Sequence, residues 1–228
     1  MTIPAGTAPM PGGGIARRPL HFIIAADVSG SMAAGGKIES LNYALATMML
    51  ELAAWERSQS DIQVLVRVIV FGNHAEWHIA EPTPPSQVSW VPLRCEPRAL
   101  TRTGAALRLM ATVLTEEVLE RRALRPALLL VTDGIATDAF EAGLAALLAT
   151  PGGAYALRIA LAIGQDAPTE QLLEFSDPTL PVMYADRTED IPELLRAMSM
   201  AASALSIVGA DKEQIVQQLR SRADQSFV

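Results

Sequence analysis

Asp27, Ser29 and Ser31 stand in Phe22-Ile23-Ile24-Ala25-Ala26-Asp27-Val28-Ser29-Gly30-Ser31-Met32, one carboxylate and two hydroxyls at alternate positions. All are hard oxygen donors. Magnesium favours such a set, with oxygen ligands at about 2.0–2.1 Å, few protein carboxylates and several retained waters. The donors follow an apolar run, Phe22 to Ala26, the pattern of a strand buried on both faces. Asp27 then falls at the carboxyl end of a central strand, where open α/β sheets gather their ligand sites. Gly30 permits a sharp loop between the hydroxyls. Taken alone, Asp27-Val28-Ser29 reads equally well as a helix N-cap.

Two further segments are rich in oxygen donors. Leu100-Thr101-Arg102-Thr103-Gly104-Ala105-Ala106-Leu107 offers Thr101 or Thr103 ahead of a helix, and either hydroxyl can instead cap it. Leu129-Leu130-Val131-Thr132-Asp133-Gly134 puts Asp133 at the end of a strongly apolar strand, with Gly134 allowing close backbone approach. A plain Asp-Gly turn is the alternative there. The expectation is that each segment follows its own strand, so that three loops distant in sequence meet at one sheet edge.

The elements that must position these groups read as follows. Strands are expected at about 20–26, 62–71, 75–79, 127–132, 155–163 and 181–184. Ile62, Val64, Val66, Val68 and Val70 alternate as in a strand, and Gly72-Asn73 turns it into an antiparallel partner. Helices are expected at about 37–57, 104–122, 138–149, 168–175 and 191–206, with Asp138 capping the third. Residues 211–221 can add another. Strands alternating with helices imply an α/β fold: a doubly wound, mostly parallel sheet with one antiparallel edge strand and helices on both faces. The expected organisation is a Pro/Gly-rich flexible leader over 1–18, one domain over 19–207, and a tail over 208–228.

Composition narrows the function classes. The chain has 228 residues, half of them hydrophobic, and a formal net charge of -7. That balance argues against nucleic acid and against an anionic membrane surface, both of which call for basic patches. One cysteine, Cys95, rules out an internal disulfide and a cysteine-based zinc site. His21, His74 and His78 are scattered. No stretch approaches the ~20 apolar residues of a membrane-spanning helix, and the expected setting is cytoplasmic.

In combination, D-x-S-x-S at Asp27, Ser29 and Ser31, the T-x-T-G-x-A-L form beginning at Thr101, and Asp133 resemble the metal-ion-dependent adhesion site of von Willebrand factor type A (vWA) domains. The resemblance spans roughly residues 20 to 205. It implies that Ser29 and Ser31 bind a divalent cation, Mg2+ or alternatively Mn2+ or Ca2+. It implies that Asp27 anchors the loop, Thr101 joins in a ligand-bound state, and Asp133 supports bound water. The remaining coordination place would take a Glu or Asp side chain of a partner protein, with Gly30, Arg102, Thr103 and Gly134 in the partner-facing loops. The sequence departs from the family at Ala99-Leu100, where many relatives have glycines, and at Ile135, where many have a polar residue. Within the family the chain looks most like the bacterial tellurite-resistance-associated, TerY-like proteins, which implies a non-enzymatic adaptor in stress response working with kinase or phosphatase partners. Two other readings are a magnesium-dependent phosphatase using Asp27 as nucleophile, and a structural subunit whose metal only braces loops. The phosphatase reading is weakened by Ser29, which stands where a second acid is needed, and leaves Lys37 as the nearby lysine.

Overall fold

The computed structural model describes residues 17–116, 118–164, 167–207 and 211–225. The leader expected over 1–18 lies, through residue 16, outside them. The strands are β1 (Arg18–Asp27), β2 (Ile62–Phe71), β3 (Ala75–Thr83), β4 (Ala127–Thr132), β5 (Leu157–Ile163) and β6 (Met183–Ala185). They form one sheet in the order β3-β2-β1-β4-β5-β6. Only β3 runs antiparallel, at the edge.

Alternate residues of β1 divide two cores. Leu20, Phe22, Ile24 and Ala26 pack on one face under α1 (Lys37–Ser58), α6 (Ile191–Leu205) and α7 (Lys212–Gln225). Ile23 and Ala25 pack on the other under α2 (Thr103–Ala111), α3 (Phe140–Leu148) and α5 (Thr169–Phe175). Burial on both faces explains why β1 and β4 read as continuous apolar runs rather than alternating ones. The chain leaves β1 toward β2 on one side and later returns to lay β4 on the other. The strand order therefore reverses between β1 and β4, and a crevice opens outside their carboxyl ends.

Three local expectations change. The helix expected to reach residue 122 stops at Ala111. The Thr112 hydroxyl bonds back to the Leu109 carbonyl (2.7 Å), and the Leu114 carbonyl accepts from Gly152 N–H (3.0 Å), so the backbone leaves the helical ladder. The strand expected from 155 begins at Leu157, because Pro151–Tyr155 form α4. Thr150 caps that short helix and Pro151 opens it, a pairing suited to a helix start. Thr101 follows no strand of its own. The segment ahead of it, from the end of β3, carries Pro84, Pro85, Pro92 and Pro97, which cannot donate to a ladder, and it runs as a loop apart from one 3-10 turn at Pro85–Gln87. At the other end, α7 buries Leu219 and Ala223 in the core that includes α6.

Candidate functional site

Asp27 ends β1 fully buried. Register pairs Ala26 with Val131, so Asp27 comes level with Thr132 at the end of β4. Its Oδ2 accepts from the Thr132 hydroxyl at 2.5 Å, and its Oδ1 accepts from Ser29 N–H at 2.7 Å. The second bond folds the chain back two residues past the strand and aims the loop hydroxyls into the crevice. Ser29 Oγ and Ser31 Oγ lie 3.1 Å apart. Ser31 Oγ donates to Asp133 Oδ1 at 2.7 Å. The other Asp133 oxygen accepts from Lys37 Nζ at 2.7 Å, with the Asp133 side chain wholly shielded from solvent.

Thr101 reaches the same place by loop contacts. Its N–H donates to Thr137 Oγ1 (3.2 Å) and its carbonyl accepts from Thr137 N–H (2.8 Å). The Leu100 N–H is held by Asn73 Oδ1 (3.1 Å). A Cβ built on Gly134 would lie 3.3 Å from Thr101 Oγ1 and 3.9 Å from Ser31 Oγ. Gly134 thus sits between the two hydroxyls, and its lack of a side chain keeps the space among them open. Gly30 serves a related purpose, by close approach rather than by an unusual backbone angle. A Cβ there would lie 2.8 Å from Arg98 N, and Gly30 N–H donates to the Ala99 carbonyl at 3.1 Å.

Asp27, Ser29, Ser31, Thr101, Asp133, Gly30 and Gly134 therefore come together. Of the other two loop residues, Arg102 is exposed and Thr103 is buried at the start of α2. Asp138 does not cap its own helix. Its carboxylate accepts from Gly104 and Ala105 N–H, both at 2.8 Å, and so caps α2. Two participants escaped the sequence reading in these roles. Thr132 bonds Asp27, and the signal was two neighbouring strands ending in Asp and Thr. Lys37 bonds Asp133, and its only signal was a cation at the first turn of the helix after the serine loop.

Burial pushes the Asp27 carboxyl up to about 6 from an ordinary 3.8. Hydrogen bonds from Thr132 and Ser29 oppose the rise, and the nearby Asp133 charge adds to it. Burial, together with Asp27, Asp133 and Glu39, pushes the Cys95 thiol up to about 11. Leu100 and Ile135 are exposed beside Thr101 and Gly134. A cleft of about 360 Å³, lined in part by Val28, Gly72, Leu93 and Ala99, opens alongside.

The donor set fits a hard divalent cation. An octahedron with bonds of about 2.1 Å has an edge near 3.0 Å, and the two serine oxygens stand 3.1 Å apart. Among the described residues no three His, Cys, Asp or Glu side chains form a metal-ligating group. The oxygens here are hydroxyls backed by two carboxylates, suited to a hard oxygen-seeking ion rather than to a softer one.

No protein-family model and no curated protein matches the sequence. Solved structures do. The ArnB paralog VWA2 from Sulfolobus acidocaldarius is 14% identical with a TM-score of 0.61, covering 80% of this chain and 45% of its own. A von Willebrand factor type A structure from Catenulispora acidiphila is 17% identical with a TM-score of 0.60, over 83% of this chain and 43% of its own. The fold is that of a vWA domain. Proximal thread matrix protein 1 from the mussel byssus, solved with a zinc-occupied MIDAS motif, is 13% identical with a TM-score of 0.61, over 81% of this chain and 48% of its own. This chain spans a little under half the length of each of these.

Proposed function

We propose that the chain is a metal-dependent protein–protein interaction module. A divalent cation, Mg2+ or alternatively Mn2+ or Ca2+, is held by Ser29 and Ser31, with Thr101 joining when a partner binds. Asp27 and Asp133 act from behind, ordering the hydroxyls and any bound water. Such an ion supplies an electrophilic centre that a Glu or Asp of another protein can occupy, because neutral hydroxyls leave most of its charge unquenched. The observation that carries this reading is the 3.1 Å pair of serine oxygens backed by the Ser31–Asp133 bond. The byssus protein with zinc in its MIDAS motif supports the same reading by likeness of fold. The exposed Leu100 and Ile135 at the rim give a partner apolar surface beside its acidic residue.

The setting we infer is cytoplasmic and bacterial, an adaptor in stress response of the TerY kind acting with kinase or phosphatase partners. No helix among the described residues is long and apolar enough to cross a membrane. An adaptor role fits better than a phosphatase. Ser29 fills the place of the second acid, and Lys37 is engaged by Asp133. Calorimetric titration of Mg2+ and Mn2+ into the wild type and into Ser31→Ala tests the reading. A binding heat in the wild type that is lost in the variant is expected. No heat in the wild type, or an unchanged heat in the variant, sinks it.

A further inference from the structure

Lys37 is the first residue of α1, and its ammonium donates to Asp133 Oδ2 at 2.7 Å while Asp133 Oδ1 accepts from Ser31 at the same distance. One buried carboxylate thus ties a fixed cation to a hydroxyl that would hold the metal. Gly164, with φ +79, lies alongside the ammonium: a Cβ there would meet Nζ at ordinary contact distance, 3.7 Å. The Lys37 side chain is 25% exposed against none for Asp133, so its charge acts in a partly dehydrated setting where screening is weak.

We propose that Lys37 is a resident counter-cation that couples metal binding to acid binding: it weakens the first when no acid is present and strengthens the second. The proposal rests on the metal reading above. Asp27, Asp133 and Lys37 together carry a single negative charge when both acids are ionised. A divalent cation turns that into a single positive charge, whereas without the ammonium the loaded site would be neutral. The ion therefore enters against repulsion from Lys37, and the loaded site keeps a surplus that an incoming carboxylate neutralises. By linkage, whatever the metal adds to carboxylate affinity the carboxylate adds to metal affinity. Lys37 thereby biases the site toward an ion that stays only when an acidic partner completes it.

Mn2+ titrated by calorimetry into the full chain, in chloride and in acetate buffer at equal ionic strength, tests this with three variants. Lys37→Gln keeps a donor for Asp133 without charge, Lys37→Met removes both, and Lys37→Arg keeps the charge. Thermal unfolding in chelator confirms that each is folded. In chloride, Lys37→Gln is expected to bind Mn2+ about tenfold more tightly than the wild type, with Lys37→Arg close to wild type. Acetate is expected to tighten Mn2+ binding by the wild type more than by Lys37→Gln or Lys37→Met. If Mn2+ binds Lys37→Gln no more tightly than the wild type, or acetate acts equally on both, the coupling role is overturned, and Lys37 only holds Asp133 in place. Absence of Mn2+ binding in the wild type and in every variant overturns the metal reading and this proposal with it.

Discussion

Replacing Asp27 by Asn is expected to stabilise the metal-free protein while abolishing its response to metal. The buried carboxyl titrates near 6 rather than 3.8. A group whose folded-state value is raised contributes stability that is fully present below the unfolded value and is lost as pH rises through the folded one. The interval from 3.8 to about 6, at ~1.4 kcal/mol per unit, is worth about 3 kcal/mol. Asparagine removes that charge without orphaning the network. Its Oδ1 keeps the Ser29 N–H, and its Nδ2 can donate to Thr132 Oγ1. The Thr132 hydrogen then turns to the Gly134 carbonyl, already 3.2 Å away. Allowing about half the gain for imperfect refitting leaves 1–2 kcal/mol, or roughly 2–8 °C for a domain of this size.

The assay is thermal unfolding followed by circular dichroism, in chelator and in excess Mg2+, from pH 4 to pH 8. The wild type should lose stability relative to Asp27→Asn as pH rises from about 4 to 7, and Mg2+ should raise the midpoint of the wild type alone. An Asp27→Asn protein less stable than the wild type at pH 8 in chelator would falsify the reasoning, since the bonds made by the ionised carboxylate would then outweigh the penalty of burying its charge.

Cys95 is the only cysteine, and with its thiol pushed up to about 11 it should alkylate at pH 8 on the order of 100-fold more slowly than an ordinary exposed thiol. Two of the charges that raise it are Asp27 and Asp133, so Mg2+ bound at the proposed site should accelerate the reaction, and a rate indifferent to Mg2+ counts against an ion held by the hydroxyls in front of them. Gly30→Ala sets a Cβ 2.8 Å from a backbone nitrogen that cannot swing aside. It should cost about 1–3 kcal/mol in urea unfolding, and an unaltered midpoint counts against the tight Gly30–Arg98 approach.

The parts of the fold legible in the sequence were those where one signal dominated. β1, β2 and β4 announced themselves by apolar runs and alternation, and their ends carried Asp27, Phe71 and Thr132 as expected. The adjacency of β1 and β4, which makes the site, was not written in either strand. It follows from the order of winding. Helix limits failed where other bonds outweighed propensity, as at Leu114, whose carbonyl accepts from Gly152 N–H, and at Thr112, whose hydroxyl bonds back to the Leu109 carbonyl. Asp138 was misread for a similar reason. A cap usually serves the helix that follows it, and nothing local reveals that Gly104 and Ala105, more than thirty residues earlier, lie within reach. Lys37 was legible as a residue but not as a neighbour of Asp133, since a side chain at a helix start can point along many paths.

The arrangement explains why the carboxylates stand behind the hydroxyls instead of in front of them. The Ser31 hydrogen points at Asp133 and the Thr132 hydrogen at Asp27. A hydroxyl whose proton is committed to a carboxylate is polarised toward the oxygen, so its lone pairs become better donors to a cation. On the proposed metal reading, Asp133 would thus enrich the Ser31 hydroxyl without spending its own negative charge directly on the ion, while the Thr132–Asp27 bond fixes the second carboxylate behind the loop. The same placement accounts for the instability predicted for the metal-free wild type. Asp27 must remain ionised to polarise its neighbours, and it can do so only by keeping a buried charge that asparagine would not carry.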